Sequence, residues 1–561
     1  MSAVKLSSGL GDEKGGVLTI TRTITRTITR PGQQPPSPPE EPKRPLSQLS
    51  DTPSLTFVSS SSDSSKNKNG KLTLGGHGTT KLRNNLLAAV GYIELANAGD
   101  FAANVFNMRP VPAYAVALMA LGGIVALGMI WFVVVDARLS WTNIKGLKAE
   151  RKFLLEIKEK LDRDDEDNKE DKSVQTKTVE CLLQVNYRDL GAEVIDRFGM
   201  DVLLGSGALL VGVGAFLAIG GEDPVVFETS NLMTGYIGNS PIAFYGLVNM
   251  GWSVFVWVRA AKHHGMAVTA APAGGKAPLD EKVKEKLMER TRKVQLHGML
   301  NGITGVIAGA ASLVTATQWW AYIILAPCIL ISAYCNRLWR HHVGYDRPFF
   351  MKEAEFQEEE VVEALKQVDG LLQRIIGPGD QGKKKEGDLE SGVPDAVELL
   401  VEGSDRSLRC LLGFIVYMNL FDDFCGRLLD DEKLMAHFCP SIGGDRTVVV
   451  DSEKILAVED VTASDELKQL ARDTISHDPQ KYLRYREKWL LEVLGCYMAL
   501  GSSVALALCE LSIDALSNVR DFGSEIVCVY AAKEMAASAG MVPTVTDCDE
   551  HMLVQYQLST V

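Results

Sequence analysis

Four stretches of this chain contain no Asp, Glu, Lys or Arg: Pro110 to Val135, Val202 to Gly221, Thr229 to Val258 and Val294 to Asn336. A helix rising 1.5 Å per residue crosses ~30 Å of hydrocarbon with ~20 residues. The first three stretches therefore hold one span each, and the 43-residue fourth holds two. The fourth turns at "TATQWW", where Gln318, Trp319 and Trp320 suit the headgroup level. Buried helices of soluble proteins rarely run so long without a charge. The expected fold class is all-α, a polytopic transmembrane helix bundle over 110–337. Its five spans fall at about 112–135, 201–221, 242–258, 297–317 and 319–336, joined by cytosolic loops 136–200 and 259–296. Residues 493–509 are uncharged for 17 positions and form a candidate sixth span, although that length also suits a buried helix of a soluble domain.

The flanks are built differently. Residues 1–85 are rich in Ser, Thr and Pro and contain three copies of "TITR" from Thr19 to Arg30. Such a composition buries too little apolar surface to offset chain entropy, so a disordered tail is expected, with order beginning near Leu86. Residues 86–106 mix apolar positions with Glu94 and Asp100, a pattern that reads as an amphipathic interfacial helix. Residues 338–394 hold an amphipathic helix and a linker: Val361, Leu365, Val368, Leu372 and Ile375 recur at helical spacing, and Gly377-Pro378-Gly379 stops them. Residues 395–561 read as a mostly helical cytosolic domain with one β-like stretch, "TVVVD". Seven of the ten cysteines lie beyond residue 400, mostly in apolar settings, which points to reduced buried thiols rather than a disulfide framework.

Basic residues near the spans set the orientation. Arg138, Lys145, Lys148, Arg151 and Lys152 follow the first span, none lies between Arg197 and Arg259, and nine Lys and Arg lie from Arg259 to Lys293. The loop after the second span is therefore outside. Five spans then put the amino terminus outside and the carboxyl terminus in the cytosol. A crossing by Leu86 to Phe106 would instead make the tail cytosolic.

The formal charge of −13 argues against nucleic acid as a partner. "GPGDQGKK", Gly377 to Lys384, nearly spells a phosphate-binding loop, but Lys384 replaces the magnesium-binding hydroxyl and no strand precedes it. The pairs Asp422-Asp423 and Asp430-Asp431 lack a third acid at helical spacing and read as a solvated helix face. His263, His264, His297, His341 and His342 fall at the cytosolic ends of three spans and could in principle converge on a metal, yet no HxxxH or CxxC spacing supports a site. Neither catalytic residues nor a cofactor are assigned, and an enzyme is not expected. Asn249 and Asn301, amides inside the third and fourth spans, are the pore-lining candidates.

The Ser/Thr/Pro-rich tail followed by "RPVPAYAVALMALGGIVALGMIWFVVVDARLSW" resembles fungal multi-pass integral membrane proteins of unassigned function. That resemblance implies a polytopic membrane fold and carries over no site residues. The expected function is a non-enzymatic membrane scaffold or interaction protein in the plasma membrane or an endomembrane. Its partners would be the lipid bilayer and proteins bound through the cytosolic helices. The alternative is a small-solute channel or transporter.

Overall fold

A computed structural model describes residues 81–106, 110–163, 169–269, 279–351, 356–376, 396–401, 407–438 and 447–500, with strands at 54–59, 72–74, 541–546 and 553–558. Two short helices, α1 (Ile93–Asn97) and α2 (Phe101–Val105), precede α3 (Ala113–Arg163), α4 (Lys169–Gly191), α5 (Met200–Ile219), α6 (Pro224–Thr234), α7 (Tyr236–Thr269), α8 (Glu281–Thr315) and α9 (Ala321–Leu338). A π-helical stretch, Ala192–Gly199, joins α4 to α5 without a break. Beyond them lie α10 (Glu358–Ile376), α11 (Ala396–Leu400), α12 (Leu408–Tyr417), α13 (Phe421–Asp430), α14 (Glu432–Phe438), α15 (Ser452–Leu456), α16 (Val461–Ser476) and α17 (Pro479–Ala499).

Five helices are long and apolar enough to cross a membrane: α3, the continuous α4–α5, α6 with α7, α8, and α9 with its extension to Val343. They are the expected spans, and the protein is membrane-embedded. Their apolar surface remains largely outward, with Trp131 and Leu330 each 71% exposed, as suits side chains that face acyl chains. The 51 residues of α3 extend about 77 Å, far more than a bilayer, so its second half continues as a stalk beyond the apolar part. Leu147, Leu154 and Ile157 are buried there, as their spacing predicts.

Small residues let α7 and α8 approach closely, because apolar burial alone does not hold helices together in lipid. A Cβ on Gly246 would stand 2.3 Å from the Gly305 carbonyl oxygen, and one on Gly309 would stand 2.7 Å from the Ala243 Cα. The basic start of α8 is held by protein rather than left for headgroups. Lys286 Nζ donates to Asp369 of α10 and Glu487 of α17, both at 2.5 Å.

Residues 86–106 differ from the sequence reading. They do not lie along one surface as a single helix but thread between α3, α5 and α9 as a broken chain of short helical turns. At one end Asn336 Nδ2 donates to the Leu87 carbonyl at 3.1 Å and the Leu87 amide donates to Asp136 at 2.9 Å. At the other, Asn104 Nδ2 donates to the Tyr322 hydroxyl at 3.0 Å. From Tyr322 to Asn336 is fourteen residues of α9, a rise of about 21 Å and most of the hydrocarbon thickness. The amphipathic pattern is inverted. Glu94, Asn97 and Asp100 face the bundle and are buried, while Tyr92, Leu95 and Phe101 face outward.

The tail also differs. Most of residues 1–85, including the "TITR" repeats, lies outside the described residues, yet order begins before Leu86. Strand β1 (Ser54–Ser59) sits between β2 (Leu72–Leu74) and β5 (Thr447–Asp451), and both pairings are antiparallel. Strand β3 (Lys81–Leu82) pairs with β4 (Arg347–Pro348), and Lys81 Nζ reaches Asp423 at 2.6 Å. These contacts hold β1, β2 and β3 beside the carboxyl-terminal part of the chain. The pairing of β1 and β3 with strands of the carboxyl-terminal part sets both parts of the chain on the same face of the bundle. A carboxyl-terminal hairpin of β6 (Met541–Thr546) and β7 (Leu553–Leu558) completes the described strands.

The cytosolic helices share one core that includes Val361, Leu365, Val368 and Leu372 of α10, Leu411 and Ile415 of α12, Phe424 of α13 and Leu494 of α17. The "TVVVD" stretch is β5, as read. The candidate sixth span is replaced in its described part. Val493–Ala499 ends α17, which begins at Pro479, and packs against α4, α7 and α10. Residues 501–509 lie outside the described residues.

Candidate intramembrane polar site

Glu94, Asn97 and Asp100 recur every third residue. The chain between them passes from α1 into a 3₁₀ turn, Ala98–Asp100, so side chains three apart line up on one face. Gly99 makes room for the break: a Cβ there would lie 2.8 Å from the carbonyl oxygen of Gly122 in α3.

Asp100 is 1% exposed and sits in a wholly neutral cage. Tyr322 Oη donates to its Oδ1 at 2.8 Å, and Asn104 Nδ2 and Asn239 Nδ2 donate to its Oδ2 at 3.0 and 3.4 Å. Thr234 Oγ1 donates to Asn104 at 3.1 Å and fixes that amide. Glu94 is buried against Asn97, and apart from that contact its Oε2 and the Asn97 amide atoms have no partner. Among the described residues neither Glu94 nor Asp100 has an ion-pair partner. An uncompensated carboxylate at such depth is costly, and a proton or a bound cation removes the cost.

The end of this face nearest the α4–α5 junction is charged. Arg197, in the π-helical stretch, donates through Nη2 to Asp136 at 3.1 Å and through Nη1 to both Glu193 oxygens at 3.1 Å. Ser140 Oγ and Asn143 Nδ2 also donate to Glu193, at 2.9 and 3.1 Å. Asp201, one turn beyond Arg197 and 1% exposed, lies against Asp136. Three carboxylates thus surround one guanidinium. Tyr245 packs with Ile93, Val133 and Leu204, within electrostatic reach of Asp196, Glu94 and Asp201.

The structure brings the two amides named from the sequence together. Asn301 Nδ2 donates to Asn249 Oδ1 at 3.0 Å, Asn249 Nδ2 donates to the Asn301 carbonyl at 3.2 Å, and Asp196 lies 3.5 Å from Asn301. Asp196 is fixed from its other side by Trp252 Nε1 at 3.0 Å. The histidines fall in separate places. His263 packs on Gly495, His264 Nδ1 lies 3.1 Å from Thr291 Oγ1, and His297 meets the Trp339 ring at a tilt with centroids 5.3 Å apart. His341 and His342 lie in the π-helical end of α9, and the described residues contain no group of three or more His, Cys, Asp or Glu placed to hold a metal.

Sequence reasoning noted Glu94 and Asp100 but took them as evidence against a crossing, and it missed Asn97, Asp136, Asp196, Arg197 and Asp201. The signal was present in the alternation of Glu94, Asn97 and Asp100 with Tyr92, Leu95 and Phe101. Read with lipid outside, the same amphipathicity describes a helix whose polar face turns into a bundle. The chain matches no protein-family description, no curated protein and no solved structure.

Proposed function

We propose that this membrane protein is a non-enzymatic transporter of a small solute in which Glu94 and Asp100 take up and release a proton. The carrying observation is a broken chain of short helical turns, packed between the spans, that presents two buried carboxylates with no positive partner among the described residues. Interrupted helices with ionisable groups near mid-membrane are the usual setting of coupling sites in secondary transporters. Tyr245 and the Asp136–Glu193–Asp201 cluster supply groups that could pass the proton toward the cytosolic face. Lipid is the partner that the outward apolar spans support. The scaffold reading rests on the size of the cytosolic helical body and on nothing in its chemistry.

Two measurements on reconstituted protein test the proposal. Infrared spectra should contain carboxylic-acid carbonyl bands that Glu94→Gln and Asp100→Asn each remove, and vesicles holding the protein should dissipate a pH gradient faster than empty ones. Spectra unchanged by both substitutions, or dissipation equal to that of empty vesicles, would return the protein to the scaffold class.

A further inference from the structure

The cytosolic ends of the spans enclose a second unusual group, two cysteines 315 positions apart in sequence. Cys181 of α4 and Cys496 of α17 are both fully buried. Cys181 Sγ donates to the Val493 carbonyl at 3.4 Å, one turn before Cys496, and the two thiols lie within electrostatic reach of each other. Arg259 Nη2 lies 2.8 Å from Cys496 Sγ while its Nη1 holds Glu492 at 2.5 Å. His263 closes the other side. It packs so tightly on Gly495 that a Cβ there would stand 2.7 Å from its Nδ1. A cavity of about 10 Å³, room for one water-sized molecule, opens beside the group and is lined by Arg259, His263, Arg290 and Glu492.

We propose that Cys181 and Cys496 are a redox pair, oxidised by a hydroperoxide to a disulfide that ties α4 to α17. Burial disfavours a thiolate, but the Cys181 thiol, Arg259 and His263 together hold Cys496 well below the usual thiol range. A thiolate is the form that attacks peroxide. In the first step the Cys496 sulfur attacks one peroxide oxygen and the O–O bond breaks. Sulfur is oxidised to the sulfenic acid, and the second oxygen leaves reduced, as hydroxide or alkoxide. In the second step the Cys181 sulfur attacks the sulfenic sulfur, the S–O bond breaks, and hydroxide takes the Cys181 proton away as water. The product deprives Arg259 of its anionic sulfur and leaves it Glu492 and the Gln184 carbonyl. Cytosolic disulfides are mostly of this sensing kind, and α17 is the helix through which the cytosolic body grips α4, α7 and α8.

The test uses the full-length protein in detergent with hydrogen peroxide as the probe. Peptide mapping after alkylation should find the Cys181 and Cys496 peptides joined, and dithiothreitol should separate them. In Cys181→Ser the second step is blocked, and a sulfenic-acid trap should mark Cys496 instead. If both thiols stay alkylatable after peroxide and denaturation, or if Cys496 is found joined to any other cysteine, the proposal is overturned. The wild-type arm decides the question even if the variant does not fold.

Discussion

Glu492→Gln removes the anion at the centre of the grip between the cytosolic body and the spans. Glu492 is 5% exposed and accepts from Arg259 at 2.5 Å and from Arg290 at 3.1 Å. Burial works against its charge, but Arg259, Arg188 and Arg290 hold it well below the usual carboxylate range. Removing one partner of a buried ion pair costs about 3–5 kcal/mol, since the other charge is left uncompensated. Arg259 keeps the Cys496 sulfur and Arg188 keeps Asp189 at 3.0 Å, so the loss falls mainly on Arg290 and the lower value, about 3 kcal/mol, is expected. At roughly 2–4 °C per kcal/mol for a body of this size, the unfolding midpoint in detergent should fall by about 6–12 °C. The sign of the pH dependence follows from the depressed value. The stabilisation is complete above the unfolded carboxyl value of about 4.3 and is lost only as pH falls through the folded one. The gap between wild type and variant should therefore be constant from pH 6 to 8 and close in acid. A variant within about 1 °C of wild type at pH 7 would refute this reasoning.

Two further outcomes follow from particular contacts. Gly246→Ala drives a methyl group against the Gly305 carbonyl and should destabilise the α7–α8 pair by about 1–3 kcal/mol in thermal unfolding, whereas Gly251→Ala, with nothing within 4 Å, should be neutral. Lys488 is pushed down to about 7 by burial, with Arg290, Arg484 and Lys293 adding repulsion. Competitive amine labelling across pH should give it a midpoint near 7, and a midpoint like that of an exposed lysine, about 10.4, would contradict its placement.

The spans were legible because lipid imposes a one-dimensional rule: a run of some twenty residues without charge has one stable fate. Helix α10 was legible for a related reason, since Val361, Leu365, Val368 and Leu372 mark a buried stripe by spacing alone. The packing of Leu86–Phe106 between the spans was not, because amphipathicity gives the contrast between two faces without saying which surroundings lie on either side. Glu94 against Leu95 reads equally well as headgroup against hydrocarbon or as bundle against lipid. The strand pairing of Ser54–Ser59 with Thr447–Asp451 and the meeting of Arg259, Glu492 and Cys496 were beyond reach as well. Their partners lie hundreds of residues apart, and no local periodicity links them.

Whether Leu86–Phe106 crosses the bilayer decides the fate of the carboxylate site, and the side on which the amino-terminal tail lies reports it directly. An epitope placed at the amino terminus and a second at the carboxyl terminus, probed by protease in sealed, oriented vesicles, should be cut or protected together. If one is cut while the other is protected, the segment does not cross, Glu94 and Asp100 lie at a surface, and the proposed proton site is lost.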